Sequence, residues 1–140
     1  IMKVYAYPHP ELNILCCAVL PEAVPQGVKA IELEVQDVSD VIYDGTQIRL
    51  KTAEEKLNER KQEKLQQLKQ IFASKIAQTD YILVKIEEAK LLNQDIQPLL
   101  EKYATQLQQR QQLRQRYEEL KQAIQNATTL EELQSIVLEL

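Results

Sequence analysis

Short β-leaning segments, some alternating with a period of two, fill the first fifty residues and then give way to helical spacing, and this change divides the chain. Residues 3–7 (KVYAY) alternate in the strand sense and are stopped by Pro8 and Pro10, which remove backbone donors. A second β-leaning run, residues 14–20 (ILCCAVL), is closed by Pro21 and Pro25, with Gly27 free to turn. Residues 30–35 (AIELEV) set Ile31, Leu33 and Val35 against Glu32 and Glu34, which predicts a strand with one face on a core and one in water. Residues 41–43 (VIY) and 47–50 (QIRL) flank Asp44-Gly45, which predicts a hairpin whose tight turn has positive φ at both central residues.

At Lys51 the β-branched residues and prolines give way to Glu, Lys, Gln and Leu. Thr52 and Glu55 have the spacing of a capping box, in which each side chain bonds the other residue's amide. A helix is predicted from here to about Ala77, with Leu57, Leu65, Leu68, Phe72 and Ile76 on one face. Thr79-Asp80 marks a second start, and the apolar helix after it ends near Asn93. Asp95 is placed to cap a third helix, with Pro98 tolerated in its first turn. Along that helix Leu99, Tyr103, Leu113, Tyr117, Leu120 and Ile124 fit positions a and d of a heptad, interrupted at Gln106 and Arg110, with Leu107 one place off. Thr129 and Glu132 form another capping box, opening a last helix through Leu133, Ile136, Val137 and Leu140.

The expected fold class is therefore α+β: a small antiparallel β-rich head at 1–51, a helical hairpin or coiled-coil-like bundle at 52–127, and a short amphipathic helix at 128–140. A chain of 140 residues with 5% aromatic side chains and no tryptophan has little material for a large ligand-burying interior. Residues 1–52 carry four basic and seven acidic side chains, residues 53–127 thirteen and eleven, and the tail only three acids. No segment has the dense basic patch that phosphate neutralisation needs, so nucleic acid is not expected as a partner.

Candidate chemistry is sparse. Cys16 and Cys17 are adjacent, where strand alternation points them to opposite faces, and they read as reduced structural thiols. With one histidine and no CxxC spacing, no zinc or redox site assembles, and no metal or other cofactor is expected. His9, between two prolines, reads as an exposed loop residue. Asp37, Asp40 and Asp44 lack the ligand order of a calcium loop. Gln106, Gln108, Gln109, Gln111, Gln112 and Gln115, interleaved with Arg110, Arg114 and Arg116, read as a solvated helix face. Tyr103 and Tyr117 read as core or interface knobs before stacking rungs for a nucleic-acid strand. Only Gly27 and Gly45 are present, which excludes a glycine-rich phosphate loop. The longest apolar stretch, residues 14–20, is far short of the ~20 residues a bilayer needs, so neither a signal peptide nor a membrane partner is expected. The expectation is a soluble protein that is not an enzyme.

Thr79-Asp80-Tyr81 opening a helix, Lys85 and Glu87 on it, and then Arg110, Arg114 and Tyr117-Glu118-Glu119-Leu120 resemble a module of tailed-bacteriophage proteins, the tail assembly chaperones and tail-fibre-associated proteins. Ala30-Ile31-Glu32, Val41-Ile42-Tyr43-Asp44-Gly45 and Leu50-Lys51-Thr52 are similar to the short leading β region of the same class. The resemblance implies a non-catalytic protein that binds a tail or tail-fibre component during assembly, or remains as an oligomeric connector. Its place would be the host bacterial cytoplasm during assembly, or the virion tail. The expected partner-binding residues are Leu57, Leu65, Leu68 and Phe72 on the first helix with Leu113, Tyr117, Leu120 and Ile124 on the third, and homo-oligomerisation is expected through the same seams. The alternative is a phage-encoded inhibitor of a host defence system that works by occluding a protein surface.

Overall fold

The computed structural model describes all residues, Ile1–Leu140. Five strands precede five helices, as an α+β chain, and the residues form two compact units, Ile1–Lys56 and Leu57–Leu140.

In the first unit, β1 (Met2–Pro8) lies between β2 (Leu15–Ala18) and β3 (Ile31–Val35), antiparallel to both. A separate hairpin pairs β4 (Val41–Tyr43) with β5 (Ile48–Leu50). The head therefore has two small sheets where the pattern suggested one. The core explains their arrangement: Val4, Ala6 and Val35 from the first sheet are buried with Val41 and Ile48 from the hairpin, and Leu15, Cys17, Leu33 and Tyr43 pack around them. Alternation puts Val4 and Ala6 inward while Lys3 faces out to Glu32 at 3.3 Å. On β3 only Val35 is fully buried; Ile31, at the far end, is exposed.

The Asp44-Gly45 hairpin forms where expected, with a different turn. Only Gly45 has positive φ, at +90°, and the loop runs over Asp44 to Gln47. The Asp44 carboxylate accepts from the amides of Thr46 at 2.9 Å and Gln47 at 2.8 Å, so its side chain replaces the backbone geometry of a two-residue turn. These amides hold its carboxyl below the usual range.

The first unit ends inside α1 (Ala53–Ala77). The capping box is complete, with the Glu55 amide donating to Thr52 Oγ1 at 3.1 Å and the Thr52 amide to Glu55 Oε1 at 3.0 Å. Arg49 grips the same carboxylate at 2.6 Å, and Lys56 lies 3.3 Å from Asp40. The first helical turn thus belongs with the hairpin, a few residues beyond the compositional change at Lys51.

In the second unit α1 runs antiparallel to α4 (Ala104–Asn126). Lys61 Nζ reaches the Gln125 carbonyl, Phe72 meets Tyr117, and Arg110 reaches the Ile76 carbonyl, so positions rise on one helix as they fall on the other. Leu68, Leu120, Ile124, Ala127 and Leu133 are buried between them. α2 (Asp80–Leu91) and α3 (Gln97–Lys102) form the corner that joins the pair. Their core is Ile82, Ile86 and Tyr103, with Ile96, Leu99, Leu100 and Leu107 against it. α2 stops just before Asn93, whose φ is +56°: the Asn93 amide donates to the Lys90 carbonyl and the Gln94 amide to that of Ala89, satisfying two carbonyls of its last turn.

Two expected helices differ in extent. The run from Asp95 through Ile124 is broken at Tyr103, which joins α3 to α4 while its buried ring fills the corner core. The last helix, α5 (Leu130–Gln134), has only five residues. Thr129 Oγ1 caps it by accepting from the Glu132 amide, but the Glu132 carboxylate accepts from Thr128, not Thr129. Residues 137–140 lie without helix, and Leu133, Ile136, Leu138 and Leu140 join the α1–α4 core while Val137 is exposed.

Candidate functional site

Four places were marked by the sequence: the heptad seams, the Thr79-Asp80 helix start, the polar arginine–glutamine face of α4, and the head's histidine and aspartates.

The seams serve the fold of this chain. Leu68, Leu120 and Ile124 are buried in one cluster, with Leu57, Leu65 and Tyr117 packed on it. Phe72 stacks on Tyr117 at 4.5 Å between ring centres, and Leu113 is half-buried at the wall of a cavity. Of the eight side chains expected to meet a partner, Leu68, Leu120 and Ile124 are buried within this chain, and Leu57, Leu65, Phe72, Leu113 and Tyr117 are half-buried. Facing apolar stripes on the two helices meet, and the tail residues Leu133, Ile136 and Leu140 pack on the same cluster.

One of the two interruptions of the third-helix seam, Arg110, has a purpose that heptad arithmetic hides. Arg110 is buried, and its Nη1 donates to the Ile76 carbonyl at 2.9 Å, Thr79 Oγ1 at 2.8 Å and Asp80 Oδ1 at 3.0 Å. One guanidinium thus ties the end of α1, the loop after it and the first residue of α2 to the middle of α4. A cation at an apolar-seam position, together with a threonine-aspartate helix start on a neighbouring element, was the available sequence signal for this joint.

One turn into α2 a second group gathers. Lys85 Nζ donates to the Tyr103 hydroxyl at 3.2 Å, and the Tyr81 and Tyr103 rings meet edge to face at 6.0 Å. The Lys85 ammonium lies 5.7 Å from both ring centres and Lys102 lies 5.2 Å from that of Tyr103. The Lys85 hydrogen bond holds the Tyr103 hydroxyl below its ordinary pKa.

Beside the Arg110 joint a cavity of about 400 Å³ opens, walled by Lys75, Arg110 and Arg116 and by the amides of Gln78, Gln106 and Gln109. The part of the glutamine-rich face nearest α1 therefore lines a concavity. Its wall contains no acidic side chain, thiol or imidazole, and Leu140, whose main-chain oxygen accepts from Lys75 Nζ, lies along it.

The outer face of α2 is exposed and carries apolar side chains beside Glu87 and Glu88. Val84 and Leu91, two turns apart, are 64% and 75% exposed, and Tyr81, Leu83 and Leu92 flank them, while Ile82, Ile86 and Ala89 take the inward face. The exposed side of α2 thus mixes these apolar side chains with Lys85, Glu87, Glu88 and Lys90.

The head's polar residues are spent locally. His9 is half-buried, where the sequence suggested exposure, because its Nδ1 accepts from the amides of Glu11 at 3.2 Å and Leu12 at 3.0 Å. Asp37 caps the short turn at Val38–Asp40, Asp40 pairs with Lys56, and Asp44 holds the hairpin loop. Cys16 and Cys17 are both free, and burial pushes the Cys17 thiol up. No helix is long and apolar enough to cross a membrane. Set beside known proteins, the chain matches no family model, no curated protein and no solved structure.

Proposed function

We propose that this chain is a non-catalytic tailed-phage protein that binds a tail or tail-fibre component during assembly, or connects such components in the particle. The observation that carries the reading is spatial. Arg110, about thirty residues beyond Thr79-Asp80, reaches both with its guanidinium, all three being positions on which the resemblance rests, and Tyr81 and Lys85 gather on Tyr103 one turn away. A pattern maintained for a shared fold would concentrate on such a joint.

The contact surface in this reading moves from the heptad seams to the outer face of α2. Tyr81, Leu83, Val84 and Leu91 on α2, with Leu92 at its C-cap, are exposed apolar side chains. At about 25 cal/mol per Å² of apolar surface buried, such a face supplies several kcal/mol before ordering costs. That magnitude suits reversible capture of an assembly intermediate, or repeated contacts between several copies.

The test is co-purification of the tagged chain from phage-producing cells, with the captured proteins identified by mass spectrometry. Enrichment of a tail or fibre protein supports the reading, and Val84→Glu with Leu91→Glu should abolish it. A defence nuclease in its place would replace this reading with that of an occluding inhibitor.

A further inference from the structure

Residues 128–140 form an arm laid along the rest of the helical unit. Ala127, with extended backbone at φ −61° and ψ 134°, ends α4, and Thr129, also extended, begins α5. From Leu133 onward the arm follows the groove between α1 and α4. Lys64 Nζ donates to the Leu133 carbonyl at 2.7 Å, Lys75 Nζ to that of Leu140, and Arg116 Nε to that of Glu139 at 3.2 Å. Lys64 and Lys75 come in the same order as Leu133 and Leu140, so the arm runs parallel to α1. Ile136, Leu138 and Leu140 pack on the hairpin core while Val137 and Glu139 stay exposed, which is the alternation of an extended segment with one face down.

The three anchoring bonds all reach main-chain carbonyls, and two of them span 69 and 65 residues of sequence. Such contacts are the same whether the arm belongs to the same copy or to another, so only the connection at 127–129 and the concentration decide between them. That connection is held bent by two threonines. Thr129 Oγ1 accepts from the Glu132 amide at 3.1 Å, and the amide and hydroxyl of Thr128 both donate to the Glu132 carboxylate. Ala127 before them and Leu130-Glu131-Glu132-Leu133 after them are good helix formers, so without the threonine caps α4 would run on into α5 and carry the arm away from its own groove.

We propose that the groove between α1 and α4 binds the arm of a second copy. Residues 128–140 exchange reciprocally, each copy's Ile136, Leu138 and Leu140 filling the other's groove, and a closed two-fold dimer results. The structure names the occupant, because the segment seated in the groove is one that every copy carries. This exchange needs no tail protein and stands apart from the reading above.

Thr128→Ala with Thr129→Ala removes the caps at exposed positions. This variant and its parent are compared as full chains that also carry Val84→Glu and Leu91→Glu, so that contacts through α2 do not contribute. The alanine pair should raise the dimer fraction at low concentration about tenfold by light scattering, with helix content by circular dichroism maintained. Leu138→benzoylphenylalanine in a concentrated mixture of unlabelled and isotope-labelled chains then reports whose arm fills the groove. After irradiation, arm peptides should be linked to α1 or α4 peptides of the other isotope. Links within one isotope only would overturn the proposal, as would a folded alanine variant no more dimeric than its parent, or a dimer without mixed arm links. If the alanine variant loses its helix content, the isotope mixture decides alone. Capture of tail proteins through Val84 and Leu91 is untouched by these outcomes, so the two readings fail separately.

Discussion

Arg110 and Asp80 meet at 3.0 Å from very different depths, the arginine side chain 5% exposed and the aspartate 55%. The cost of taking the guanidinium out of water is offset by three acceptors at once, whereas the carboxylate keeps much of its hydration. Loss of the two partners should therefore be unequal. Arg110→Ala leaves the Ile76 carbonyl and Thr79 hydroxyl without their donor and opens a void, and should cost about 2–4 kcal/mol. Asp80→Ala leaves two neutral acceptors on the arginine and should cost about 1 kcal/mol. Denaturant midpoints followed at 222 nm measure both, and equal small losses would mean that the joint behaves as a surface pair.

The seam residues make a second, independent prediction. Leu68 and Ile124 are fully buried in the α1–α4 core, so Leu68→Ala or Ile124→Ala should destabilise the helical unit by about 2–5 kcal/mol. Leu113 is only half-buried at the cavity wall, and Leu113→Ala should cost clearly less. Urea unfolding of the three variants gives the order. A Leu68 variant as stable as the parent would place that side chain in an interface between chains, not within one.

Where the sequence was legible, one local rule decided the outcome. Thr52 and Glu55 set the start of α1, and two periods, two and then 3.6, separated strands from helices. Legibility failed where a side chain took over from the backbone or where the packing was tertiary. The Asp44 carboxylate bonded its own loop amides, so a hairpin was foreseen with the wrong turn. Tyr103 carries a helical pattern, yet its ring is drawn into the corner core and the helix breaks there. Ile136 and Leu140 keep helical spacing, but the surface that covers them takes the tail without helix. The cavity could not be read at all, since it exists only because Lys75 on α1 and Gln106 on α4 are brought side by side.

Acid should loosen the head first at its junction with α1. Glu55 is lowered to about 2, chiefly by the Arg49 hydrogen bond and then by the Thr52 amide. Its folded value lies below the unfolded one, so its contribution is complete above the ordinary glutamate range and is lost as pH falls from about 4.5 towards 2. Asp44 shifts in the same direction through its two loop amides. Denaturant midpoints at pH 7, 4.5 and 3 should fall across the last interval. Glu55→Gln should lower the midpoint at pH 7 and flatten that fall, and an unchanged pH profile in this variant would remove Glu55 as the cause.

The outer face of α2 separates folding from binding more cleanly than any other surface. Val84 and Leu91 stand mostly in water, so changing them removes almost no buried area, and Val84→Glu or Leu91→Glu should alter stability by no more than about 0.5 kcal/mol. Ile82 and Ile86 belong to the same helix but face inward, and Ile82→Glu should unfold the corner by placing a charge in the apolar core with Tyr103. Exposed apolar groups on one rigid helix also favour self-association, so the parent chain should show a concentration-dependent mass by light scattering that the two outward glutamates reduce. A parent that stays monomeric, and a Val84→Glu variant that captures the same partners as the parent, would together show that this face is not the contact surface.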